Sequence, residues 1–107
     1  MTSYFLVTFL NGDYKIGRIM PCTQPGKIRI GRSVYSTDEI EMIEKIPIDI
    51  VEEIYELVHD LKTSEDNMRR KVKEILMINK RPSYVFAFYS DDWGYDIYVG
   101  YIENSLG

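Results

Sequence analysis

The sequence predicts an α+β fold, with antiparallel β-sheet at both ends of the chain and a helical hairpin between them. Three observations carry that prediction. Asn11-Gly12 lies between two β-rich runs, and this dipeptide accepts the positive φ values of a tight hairpin turn. Ile50, Ile54, Leu57, Val58 and Leu61 recur at the spacing of one helix face. Residues 84–89 and 95–102 are β-branched and aromatic in character, as strands are. The order strands, helices, strands predicts helices packed on antiparallel sheet.

Taken in order, a two-residue Asn11-Gly12 loop sets Leu10 opposite Asp13, Phe9 opposite Tyr14, Val7 opposite Ile16 and Phe5 opposite Arg18. Phe5, Val7, Phe9, Tyr14, Ile16 and Met20 then share the core face of an N-terminal meander. Gln24-Pro25-Gly26 reads as a second turn. Lys27-Ile28-Arg29-Ile30 alternates strictly, with isoleucine inward and cations outward. Ser33 to Ser36 extends that strand or starts another. Ser36 and Glu39 have capping-box spacing, yet Ile40, Met42 and Ile46 favour a strand through residues 37–46, ended by Pro47. Asp49 with Glu52 starts the first helix. Thr63-Ser64 offers a second N-cap, and Met68, Val72, Ile75, Leu76 and Asn79 mark a helix that Pro82 terminates. Asp91-Asp92-Trp93-Gly94 joins the last two strands as a hairpin loop.

The hairpin rhythm from Thr8-Phe9-Leu10-Asn11-Gly12 through Ile46 resembles that of small SH3-like or Sm-like barrels. The resemblance covers under half the chain. It implies a small β-barrel.

With 107 residues the chain fits a single domain over 1–107. Its 45% hydrophobic and 28% charged residues are a globular composition and argue against intrinsic disorder. One cysteine, Cys22, excludes an internal disulfide framework and a cysteine-built zinc site. A net charge of −4 argues against binding nucleic acid by bulk charge. The apolar N-terminus lacks a basic n-region and a cleavage site, and no stretch reaches the ~18–20 apolar residues of a membrane span. A cytoplasmic location with no membrane association, and a reduced Cys22, is the expectation.

The net value conceals segregation. Residues 1–37 carry five cations against one acid, and residues 38–60 carry nine acids against Lys45 alone. Residues 61–89 carry seven cations against three acids, while residues 90–107 carry four unopposed acids. Opposite charge on two neighbouring helices explains part of this as solvated pairs contributing about 0–1 kcal/mol each. A bipolar surface for a charged partner is the sharper reading.

The C-terminal hairpin is the most distinctive feature, with Tyr84, Phe86, Phe88, Tyr89, Trp93, Tyr95, Tyr98 and Tyr101 close to Asp91, Asp92 and Asp96. A two-faced hairpin over a single core buries one face, placing Tyr95, Ile97, Val99 and Tyr101 together. That leaves Tyr89, Asp91, Asp92, Trp93, Asp96 and Tyr98 as an acidic–aromatic surface for a protein partner, since tyrosine and tryptophan dominate binding hot spots. Such a protein would act as an inhibitor, an immunity-type partner or a phage-encoded antagonist, without cofactor, its carboxylates steering it onto a basic nucleic-acid-handling target. Lys27, Arg29, Arg69, Arg70, Lys71 and Lys73, with Lys15, form an alternative surface for phosphates. In a third reading the C-terminal aromatics bury one another in a homo-oligomer. Catalysis and metal binding are not expected. His59 lies on an acidic helix with nothing pairing it to Cys22, the aspartates lack EF-hand spacing, and Gly12, Gly17, Gly26 and Gly31 form no phosphate-cradling motif.

Overall fold

Eight strands and two helices make up the described part of the chain, which in this computed structural model comprises residues 3–60, 64–76, 84–91 and 94–100. In order they are β1 (Tyr4–Phe9), β2 (Tyr14–Gly17), β3 (Ile19–Met20), β4 (Lys27–Ile30), β5 (Ser33–Ser36), β6 (Ile40–Ile46), α1 (Ile48–His59), α2 (Glu65–Leu76), β7 (Tyr84–Asp91) and β8 (Gly94–Gly100). A 3₁₀ turn, Thr37–Glu39, precedes β6. Five strands form an antiparallel sheet in the order β6-β1-β2-β8-β7, and β3-β4-β5 form a second, three-stranded sheet. The fold is therefore α+β, as expected. The first-half strands divide between two sheets, and no closed barrel forms among the described residues, which corrects the SH3-like resemblance.

The first hairpin departs from the expected pairing by one residue. Phe9 N–H donates to Asp13 O at 2.8 Å and Gly12 N–H donates to Phe9 O at 3.0 Å. Gly12 has φ 96°, and Asp13 N–H donates to Asn11 Oδ1 at 2.9 Å. The loop is thus the three-residue kind, a turn closed by a glycine in the left-handed region. Leu6 now pairs with Ile16 and Val7 with Lys15. A one-residue slip exchanges faces, so Phe5, Val7 and Phe9 lie opposite Tyr14 and Ile16 rather than beside them.

That exchange gives the sheet two buried faces. On one, Tyr4, Leu6, Tyr14, Ile16, Ile97 and Val99 pack against Val51 and Ile54 of α1 and Val72 of α2. On the other, Val7 and Phe9 pack against Ile30, with Phe5, Ile19, Ile28, Tyr35, Ile40 and Tyr98 around them. The molecule is layered as helices, large sheet, small sheet. Tyr14 is wholly buried, and its hydroxyl has no hydrogen-bond partner among the described residues.

Local signals match the elements closely, with shifts at their ends. Ser33–Ser36 is a strand of its own, paired with β4 across Gly31 and Arg32. The region 37–46 is both things its sequence offered: Ser36 Oγ accepts the Asp38 N–H, starting the 3₁₀ turn, and β6 follows. α1 starts one residue before Asp49, with Pro47 as N-cap. Asn67 N–H donates to Ser64 Oγ at 3.3 Å at the start of α2; Thr63, Asn79 and Pro82 lie outside the described residues. Ile50 shares a groove with Ile75 and Leu76, and Glu53, Glu56, Leu57 and Asp60 share another with Lys71, Glu74 and Ile75, so the helices run antiparallel. β7 and β8 extend to Asp91 and Gly94, which pair, so two of the four residues expected in the loop belong to the strands. The edge strand β6 carries a bulge opposite Thr8 and Phe9 and exposes Glu41, Glu44 and Lys45, features that discourage pairing with a foreign strand. None of the described helices is long and apolar enough to cross a membrane.

Gly12→Val puts a β-branched side chain at positive φ and should cost about 1–3 kcal/mol. Urea denaturation measures it, and a loss below about 0.5 kcal/mol would mean the register is set elsewhere.

Candidate partner-binding site

Lys15 sits in the middle of β2, level with Val7 on one side and Tyr98 on the other. Its side chain therefore enters the space between the two sheets. There Lys15 Nζ meets Asp96 Oδ1 at 2.8 Å, both side chains being 5% exposed. The second carboxylate oxygen accepts the backbone N–H of Arg32 at 3.1 Å. Gly31, beside it, has φ 59°, and a Cβ there would lie 2.6 Å from the Asp96 carboxylate. Gly31 N–H also donates to Arg18 O at 2.8 Å. The β4–β5 turn is thus held against β8 by Asp96, which only a glycine turn lets approach, and against the β2–β3 junction by the Gly31–Arg18 bond.

The Lys15 ammonium lies 5.5 Å from the centre of the Tyr35 ring and 5.8 Å from that of Tyr98. Phe9 packs 4.9 Å from Tyr35 and 6.3 Å from Tyr98, ring centre to ring centre. The Tyr98 hydroxyl donates to Asp13 Oδ2. Burial pushes the Tyr98 phenol well above its usual range, reinforced by the Asp13 hydrogen bond and charge and by nearby Tyr35 and Glu39. Above these rings opens a cleft of about 420 Å³. Phe9, Tyr35 and Tyr98 line it together with Leu10 and Asn11 of the hairpin loop and Asp38 and Glu39 of the 3₁₀ turn. Leu10 N–H donates to Glu39 O at 2.9 Å, tying the two sides of the mouth together.

The sequence-derived partner surface is only partly assembled here. Tyr98 lines the cleft. Asp96 lies beneath it, buried and bound to Lys15, so it is not a surface carboxylate. Tyr89 and Asp91 pair through their backbones with Asp96 and Gly94; their side chains, and all of Asp92 and Trp93, lie outside the described residues, as does Tyr101. Tyr95 faces the helices, 4.9 Å from the Tyr55 ring and 6.0 Å from that of Tyr4, with its hydroxyl donating to Glu52 at 3.3 Å. The cleft residues that sequence reading missed are Phe9, Tyr35, Asp38 and Glu39, together with Asp13, which holds Tyr98 from beside the cleft. Alternation in Ser33-Val34-Tyr35-Ser36 was the available signal for Tyr35.

The cationic residues do not form one surface. Lys27 and Arg29 belong to the small sheet, whereas Arg70, Lys71 and Lys73 belong to α2, on the opposite side of the large sheet. Arg70 donates to Asn67 Oδ1 at 3.1 Å, and Lys71 shares its groove with Glu53, Glu56 and Asp60. The Arg69 side chain lies outside the described residues. His59 sits on α1, its Nδ1 3.1 Å from Tyr55 O, while Cys22 follows β3 in the opposite layer. Among the described residues no group of three or more histidine, cysteine or acidic side chains is placed to hold a metal ion.

Lys15→Met strands a buried carboxylate and should cost about 3–5 kcal/mol, of which Lys15→Met with Asp96→Leu recovers a substantial part. Chemical denaturation of the two variants checks this, and equal losses in both would show that the pair does not hold the sheets together. Burial raises the Tyr14 and Tyr98 phenols, so each binds its proton more tightly folded than unfolded. Their contribution is complete below about pH 10 and declines as pH rises through the folded range. The urea midpoint should therefore fall above about pH 10, and less steeply in Tyr14→Phe/Tyr98→Phe; an unchanged slope in that variant contradicts the assignment.

Comparison with protein-family models, with curated proteins and with solved structures found no match to this chain.

Proposed function

We propose that this is a small, non-enzymatic protein-binding protein of the inhibitor or immunity type, which engages a basic protein through the acid-rimmed aromatic cleft. The carrying observation is the combination at one site of three aromatic rings with Asp13, Asp38 and Glu39. Aromatic side chains supply contact area at low entropic cost. Carboxylates speed encounter with a positively charged surface and select against acidic ones. Asp38 and Glu39 also begin the acid-rich stretch 38–60, which continues through the exposed Glu41 and Glu44 of β6 to the exposed Asp49, Glu52, Glu53 and Glu56 of α1. A nucleic-acid-handling protein of the cytoplasm is the class of target such a surface fits, its carboxylates standing where phosphates would. A basic groove built for a backbone of regular negative charge accepts a similar array of carboxylates.

Tagged wild-type chain and an Asp38→Lys/Glu39→Lys variant, each incubated with source lysate with and without nuclease, provide the test. A basic protein retained after nuclease treatment, with affinity at least about 2 kcal/mol weaker for the variant, is the expected result. Capture that disappears with nuclease, or that the charge reversal leaves unchanged, overturns the reading. So does recovery of nothing but further copies of the same chain.

A further inference from the structure

The cleft has the composition of a pocket for one cationic side chain. Its walls are the rings of Tyr35 and Tyr98 with Phe9 between them, and its rim carries Asp38 and Glu39 with Asp13 beside Tyr98. Lys15, whose ammonium lies near these rings, is buried and paired with Asp96 at 2.8 Å, beneath the exposed Asp38 and Glu39 of the rim. An aromatic face attracts a cation, most strongly where water is excluded. The fold already exploits that attraction from within, since the Lys15 ammonium lies under 6 Å from two of the ring centres.

We infer that the cleft receives an arginine side chain of the protein partner, an inference that rests on the protein-binding reading above. Both arginine and lysine satisfy the charge, and two features favour arginine. A guanidinium is flat and stacks on aromatic faces, whereas an ammonium is a compact, strongly hydrated point charge. Asp38 and Glu39 are adjacent on one 3₁₀ turn, presenting several acceptor oxygens to a donor fork. Leu10, 65% exposed, gives the mouth an apolar wall along which the methylene stem of a long cationic residue can lie. The volume of about 420 Å³ holds that whole side chain rather than its tip alone. Anions are rejected by the same carboxylates.

Titration of the full chain with N-acetyl-arginine amide, followed by NMR, tests the pocket without any protein partner. The expected result is a saturable shift of the Phe9, Tyr35 and Tyr98 ring signals and of the Asp38 and Glu39 amides. A dissociation constant on the order of millimolar suits a single residue. N-acetyl-lysine amide should bind at least about threefold more weakly, and Asp38→Asn/Glu39→Gln should weaken the arginine derivative about fivefold or more. Both substituted residues are exposed, and unchanged signal dispersion confirms the variant is folded. Shifts confined to the acids of α1, equal response to the lysine derivative, or no saturation would overturn the inference. Saturable arginine binding alongside lysate capture that ignores the cleft would refute the proposed function and leave the pocket standing. Cleft-dependent capture without arginine binding would refute the pocket alone.

Discussion

An ammonium and a carboxylate buried between two β-sheets organise this molecule. Taking either charge out of water costs several kcal/mol, and their attraction repays that only with good geometry and further hydrogen bonds. Lys15 and Asp96 meet those conditions. Their contact is 2.8 Å, Arg32 N–H takes the second oxygen, and two tyrosine rings face the ammonium. These groups come from four segments, so the pair is satisfied only when β2, β5, β8 and the β4–β5 turn are all in place. A hydrophobic pair could fill the same space without needing these partners.

The cleft follows from that arrangement. The Tyr35 and Tyr98 rings both lie near the buried cation, and Phe9 packs against both. Tyr98 is further fixed by its hydrogen bond to Asp13, which ends the loop that Gly12 shapes. The mouth inherits its acids from the 3₁₀ turn because Ser36 caps that turn and Leu10 N–H binds Glu39 O. A partner would therefore meet rings that are already positioned, which reduces the ordering cost of association.

The helices serve the other face. Their apolar residues cover Tyr14, Ile16, Ile97 and Val99, while α1 turns its glutamates to solvent. With both faces of β1, β2 and β8 covered, small residues at the crossing points matter more than usual. At Gly31, the backbone of one sheet approaches a side chain of the other too closely for any Cβ.

Much of this was legible in the chain itself. The 3.6-residue recurrence of Ile50, Ile54, Leu57 and Val58 determined α1, and two-residue alternation determined β4, because periodicity is a local consequence of backbone geometry. Asn11-Gly12 determined that a hairpin turns there. The length of its loop was not legible, since the same dipeptide suits a two-residue turn and a three-residue turn ending in a glycine bulge. That single residue of register decided which face Phe5, Val7 and Phe9 occupy. Lys15 and Asp96 read as solvent-facing because charge within an alternating strand ordinarily marks the wet side. Only the second sheet, folding back over that side, made them a buried pair and gathered Phe9, Tyr35 and Tyr98 into one cleft. Local sequence determined the elements; contacts between residues far apart in the chain decided which of their faces meet water.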